Sequence, residues 1–90
     1  MKRFVIERNI PGIGGFDAEQ LHAASQRSMD AVRQLGFQIQ WEHSYITAEK
    51  TFCVYLATDE AVIRKHAELS GFPANVITEA PQIIDPTWAE

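Results

Sequence analysis

The segment SYITAEKTFCVYLA, Ser44 to Ala57, carries the only cysteine of the chain. Cys53 stands between Phe52 and Val54 and two residues before Tyr55, in a run that reads as a β-strand. If strand alternation brings Glu7, Ser44 and Glu79 to the same surface, a thiol, a phenol and two carboxylates converge there, with Glu42 beside them. That set can do acid–base work on a small organic molecule or bind a transition metal. The alternative for Cys53 is a small apolar filler, since free cysteine is among the most buried residue types. A nucleophilic role would require a base or positive field to generate the thiolate, and the neighbours expected here are acids.

The histidines give a second combination. His66 falls between Val62 and Leu69 on the inner stripe of a helix, where a packed, hydrogen-bonded residue is the usual reading. His43 is placed to meet it, and two neutral imidazoles can hold a transition metal. His22 is expected to face solvent. No HExxH or CxxC spacing occurs, so spacing alone designates no zinc site. PGIGG, Pro11 to Gly15, lacks the pattern of a phosphate loop and reads as a connection between strand and helix.

The elements that must position these groups follow from periodicity. Residues 3–9 alternate as a strand. Asp17 and Gln20 form a capping box at the start of a helix over 17–35, with Leu21, Ser25, Ser28, Val32 and Leu35 on one stripe and Gly36 as a left-handed cap. Residues 38–47 and 51–57 read as a hairpin turning at Thr47 to Lys50. A second helix spans 59–70 and is capped by Gly71. Residues 75–84 form a last strand, broken or confined to an edge by Pro81. The order β-α-β-β-α-β predicts a ferredoxin-like α+β sandwich, with a four-stranded antiparallel sheet in the order 4-1-3-2 and both helices on one face. One domain over residues 1–90 is expected.

An even hairpin loop puts Trp41, His43 and Tyr45 on a face with Phe52, Val54 and Leu56. This face is the more apolar and is therefore expected beneath the helices. Cys53 and Tyr55 are then expected on the helix-free face with Glu42, Ser44, Val5, Glu7, Ile77 and Glu79. Phe4, Ile6, Val76 and Thr78 are expected to point inward.

The formal net charge of −4 among 90 residues argues against nucleic acid or an anionic membrane as partner. The apolar run Phe4-Val5-Ile6 is too short for a signal-peptide core, and no stretch approaches membrane-spanning length. A single cysteine allows no intrachain disulfide and fits a reducing cytoplasm. A core this small favours a homodimer. Trp88, beyond Pro86, is expected to dock on a partner or on the chain's own sheet.

The motifs VIER (Val5–Arg8), WEHSY (Trp41–Tyr45), KTFCVY (Lys50–Tyr55), IRKHA (Ile63–Ala67), GFPA (Gly71–Ala74) and IDP (Ile84–Pro86) resemble those of a family of small bacterial ferredoxin-like proteins. Many of its members are known only as domains of unknown function, and one characterised member binds nickel. PGIGG is longer than is usual there. The resemblance implies a dimeric ferredoxin-like domain and makes nickel, or a similar metal, the expected cofactor. The motif positions with ligand chemistry are Glu7, Cys53, Tyr55, His66 and Glu79, with His43 outside them. Ser44 and Glu42 are candidates for contacting an organic ligand. Cytoplasmic nickel sequestration or sensing is the first expectation. A small-molecule enzyme or binding module with its pocket on the helix-free sheet face of a dimer is the second.

Overall fold

The computed structural model describes residues 1–90. Strands β1 (Lys2–Asn9), β2 (Ile39–Ile46), β3 (Lys50–Ala57) and β4 (Val76–Glu79) and helices α1 (Ala18–Leu35) and α2 (Glu60–Ser70) follow one another as β-α-β-β-α-β. The sheet is antiparallel with strand order β2-β3-β1-β4, as the pattern predicts. This is the ferredoxin-like α+β fold.

Local chemistry fixes the helix boundaries. Asp17 accepts from the Gln20 amide at 2.8 Å, and the Gln20 side chain accepts from the Asp17 amide at 2.9 Å. A cap of this kind stabilises a helix by about 1 kcal/mol. Asp59 caps α2 through the Val62 amide. Gly71 ends α2 in the left-handed region at φ 79° and ψ 3°. Gly36 ends α1 at φ 64° and ψ −127°, a positive φ suited to glycine but outside the left-handed helical well expected there.

Both helices pack on the face that presents Phe4 and Ile6. Val62 and Ile63 of α2 join these two residues, Ile39, Cys53, Tyr55 and Ala57 in the core, with Val32 and Leu35 of α1 against them. The β2–β3 hairpin does turn through an even loop. Thr47 and Lys50 close it by backbone and side-chain hydrogen bonds, leaving Ala48 and Glu49 at the tip.

The orientation of that hairpin differs from expectation. Cys53 pairs with Ile6 and Tyr55 with Phe4, so both face the helices. Phe52, Val54 and Leu56 share the helix-free face with Val5 and Glu7. Apolar content misled here because the inward row of β3 combines Thr51, Cys53 and Ala57 with Tyr55, whose hydroxyl finds a buried partner in Ser28 of the helix layer. The bulkier apolar row has no helix over it, with Val54 buried and Phe52 and Leu56 half-buried. A bulge between Trp41 and His43 adds a second departure. It keeps Trp41 opposite Tyr55 on the helix side and sends His43 and Tyr45 to the other face, opposite Val54 and Phe52.

The last strand is reversed as well. Glu79 pairs with Phe4 and Ile77 with Ile6, so these two take the helix side and Val76 and Thr78 the other. Strand β4 ends at Glu79, short of the expected residue 84. The Ala80 amide makes the last bond, to Arg3 O, before Pro81, which has no N–H to donate. Beyond it Ile83, Ile84 and Trp88 are exposed, and Trp88 does not dock on the sheet of its own chain.

Candidate ligand-binding site

Four elements meet at one buried polar cluster. Ser28 of α1 hydrogen-bonds to the Tyr55 hydroxyl of β3 at 2.7 Å. His66 of α2 brings its Nε2 within 3.2 Å of both Ser28 Oγ and Ser28 O, and within 3.5 Å of Tyr55 Oη. The carbonyl can only accept, so Nε2 carries the ring proton and donates it there. Nδ1 is then unprotonated, buried and without a partner. Burial, and next the nearby Arg8 guanidinium, push the His66 pKa down to about 4, against the hydrogen bond to Ser28 O. Burial raises the Tyr55 phenol above its ordinary value, opposed by Ser28 and Arg8. Near neutrality the cluster therefore consists of a neutral imidazole and a protonated phenol.

Arg8 of β1 is the fourth member and is 2 % exposed. It follows Phe4 and Ile6 on the inward face at the two-residue strand period. Its Nη1 donates to Pro73 O at 2.9 Å and Phe72 O at 3.4 Å. Its guanidinium carbon lies 5.9 Å from the Tyr55 ring centroid and 6.0 Å from that of Phe72. Arg27 covers Phe72 at 4.7 Å and donates to Ser70 O, so two arginines hold the segment after α2. Arg8 is in none of the chain's ion pairs, and its Nη2 has no hydrogen-bond partner.

Beside this cluster a half-open pocket of about 80 Å³ lies between α1, the β2–β3 hairpin and the PGIGG loop. Arg8, Ser28, Thr51, Cys53 and Tyr55 contribute to its wall, and Ile13, Leu21, Trp41 and Phe72 make much of the rest apolar. The loop is fixed as a rim: the Gly14 amide donates to Ala48 O, and the Gly12 amide to the Glu49 carboxylate. Ile13 is thereby buried. Ser44 also lines the pocket and accepts from the Trp41 indole N–H at 3.0 Å. Cys53 is 6 % exposed, with Sγ 3.3 Å from Thr51 Oγ1.

The residues singled out from sequence therefore divide. Cys53, Tyr55, His66 and Ser44 are on the helix side, in or beside the pocket. Glu7 lies on the opposite face, 3.6 Å from Lys50 Nζ. His43 is there too, packed edge-on against Tyr45 and remote from the expected His66. Glu42, at the bulge, pairs with Arg3 at 2.7 Å, and that hydrogen bond holds its carboxyl below the ordinary range. Glu79 is exposed beside Phe4 on the edge strand. The expected convergence of Glu7, Cys53 and Tyr55 on the helix-free face does not occur. His22 is exposed, as expected.

Sequence reasoning overlooked Arg8 and the pocket role of Ser28. The signal for Arg8 was its parity with Phe4 and Ile6, which puts a charge on an inward strand position. Ser28 and Ser25 were legible as small polar residues on the inner stripe of α1.

No group of three or more His, Cys, Asp or Glu side chains in the chain comes together as a metal cage. The thiol and the buried imidazole lie on one side of the sheet, and Glu7 and His43 on the other. A resident nickel centre within a single chain does not fit this donor set.

Fold and site together define a ferredoxin-like domain with a pocket between helix layer and sheet. The chain belongs to the family described as nickel responsive protein SCO4226-like, whose model matches residues 4–80. It is similar in structure to SCO4226 from Streptomyces coelicolor A3(2), with a TM-score of 0.73 and 25% sequence identity over 91% of this chain and 99% of that one. No curated protein matches the chain.

Proposed function

We propose that this protein is a non-catalytic binding module whose working site is the helix-side pocket. The observation that carries this reading is an apolar recess backed by an ordered polar cluster with no activated nucleophile. His66 Nε2 donates to a carbonyl and so cannot serve as base toward Ser28, and no carboxylate orients the ring. The phenol and the neutral imidazole suit recognition better than proton transfer near neutrality. The test is amide and side-chain NMR mapping with a library of small neutral and charged fragments. Saturable shifts are expected at Ser28, Cys53, Tyr55 and the Trp41 indole. Binding confined to the helix-free face, or to the Pro81–Trp88 tail, contradicts the reading.

Family membership supports a second reading, in which the protein takes part in cytoplasmic nickel sequestration or sensing. The donors of one chain are divided between two faces, so in this reading a second copy completes the metal site. His43 and Glu7 share with Val5, Phe52, Val54 and Leu56 the sheet face that carries no helix, and a homodimer formed there brings two sets of these donors together. Calorimetry and sedimentation with nickel test it. One nickel per two chains, lost in His43→Ala, is the expected result. Tight binding of one nickel per monomer, or none, contradicts it.

A further inference from the structure

We infer that the pocket between α1 and the β2–β3 hairpin takes a small carboxylate with a compact apolar body, bound against the Arg8 guanidinium. The inference rests on the reading of this pocket as the working site and names the class of molecule that fills it.

A buried cation is normally balanced by a nearby carboxylate, because an uncompensated charge removed from water is costly. Arg8 lacks one. It is 2 % exposed, and every ion pair of the chain joins other residues: Arg3 with Glu42, Arg33 with Asp30, Lys50 with Glu7, Arg64 with Glu60 and Lys65 with Glu68. Two carbonyls occupy Nη1, the guanidinium carbon lies over two aromatic rings, and Nη2, itself buried, remains without an acceptor. The chain is thus short of one negative charge at this point, and Arg8 forms part of the pocket wall.

The other polar groups there are the hydroxyls of Tyr55, Ser28, Thr51, Ser25 and Ser44 and the Cys53 thiol, and Ser25 already donates to Leu21 O. Hydroxyls can donate to a carboxylate oxygen, and the unpartnered Nη2 of Arg8 can give it a charge-assisted N–H bond. Neither feature selects a carboxylate over a phosphate. The walls do: Ile13, Leu21, Trp41 and Phe72 offer no partner to the remaining oxygens of an inorganic oxyanion. They suit a short branched or cyclic hydrocarbon. A room of about 80 Å³, open on one side, sets the scale at a few heavy atoms. The formal charge of −4 gives no long-range attraction to anions, so recognition here is local.

Isobutyrate and isobutyramide are near-isosteric probes that differ in charge. Calorimetric or NMR titration of the full chain with each, at low ionic strength, is the test, with inorganic phosphate as a third arm. Isobutyrate is expected to bind at least about tenfold more tightly than isobutyramide. Arg8→Gln is expected to erase the difference, and Arg8→Lys to keep part of it. Equal affinity for acid and amide overturns the inference while leaving the pocket a binding site. Phosphate binding as tightly as isobutyrate also overturns it, by showing a site for any anion. No binding of either organic probe up to about 50 mM overturns both the inference and the pocket reading. If Arg8→Gln does not fold, the acid–amide comparison in the unsubstituted protein still decides.

Discussion

The Arg8 guanidinium lies 5.9 Å from the centre of the Tyr55 ring, and the phenol's hydroxyl is hydrogen-bonded to Ser28 on the helix above. The two side chains come from adjacent strands, β1 and β3, and both point beneath the helix layer. This relation links the fold to the site. A cation from one strand and a phenol from the next meet a serine and a histidine from the two helices, beside the one pocket wall that carries a buried charge.

His66 gives the cluster a pH dependence. Its pKa falls from 6.5 in an unstructured chain to about 4 in the folded protein. The folded state thus favours the neutral ring, while the unfolded state takes up a proton below 6.5. The contribution is fully present above that value and is lost as pH falls from 6.5 toward 4. The loss is roughly 2–3 kcal/mol. Urea unfolding at pH 7.5 and pH 4.5 measures it, and His66→Gln is expected to flatten this limb. An unchanged slope in the variant contradicts the assignment.

The Tyr55 hydroxyl is expected to matter for stability. Tyr55→Phe leaves Ser28 Oγ short of a buried partner and should destabilise the protein by about 1–2 kcal/mol. Ser28→Ala should cost a similar amount, about 1–2 kcal/mol. Because the two share a hydrogen bond of 2.7 Å, the double variant should lose less than the sum. Strict additivity in thermal unfolding contradicts a shared bond.

The PGIGG rim is set by close backbone approach. A Cβ on Gly14 would fall 2.7 Å from Ala48 Cα and 2.9 Å from Thr47 O, and neither can move without shifting the hairpin tip. Gly14→Ala is expected to destabilise by about 1–3 kcal/mol. It should also speed hydrogen exchange at the Gly14 amide, which donates to Ala48 O. Gly15→Ala, where nothing lies within 4 Å, is the control expected to leave that amide protected. Equal exchange in the two variants contradicts the contact.

The apolar row on the helix-free face, half-buried at Val5, Phe52 and Leu56, predicts self-association. Sedimentation at tens of micromolar, about where weak dimers persist, should show dimer. Leu56→Glu, on the helix-free face, should give monomer with an unchanged melting profile at low concentration. A monomer in the unsubstituted chain contradicts the dimer.

Much of this fold was legible in the sequence. The Asp17–Gln20 box, the glycines after each helix and the alternation of Phe4 with Ile6 determined the element order, the sheet order and the inward face of β1. The face of the hairpin was not legible. Apolar content favoured Phe52, Val54 and Leu56 as the inward row, whereas the alternate row of Thr51, Cys53, Tyr55 and Ala57 faces the helices. Nothing in Trp41-Glu42-His43 marked the bulge that separates Trp41 from His43. On β4, four residues were too few for alternation to choose a side. The candidate site was therefore half visible. Cys53, Tyr55, Ser44 and His66 were identified by type, but the residue that gives the pocket its charge, Arg8, was hidden within a strand motif.

The most direct measurement uses Trp41, which lines the pocket. With Trp88→Phe, Trp41 is the sole indole, and its fluorescence reports occupancy. Isobutyrate should change that emission saturably, and the change should vanish in Arg8→Gln while the unliganded spectrum stays that of a folded chain. A Trp41 signal that ignores isobutyrate, or that responds equally in Arg8→Gln, contradicts a charged binding site on the helix side of the sheet.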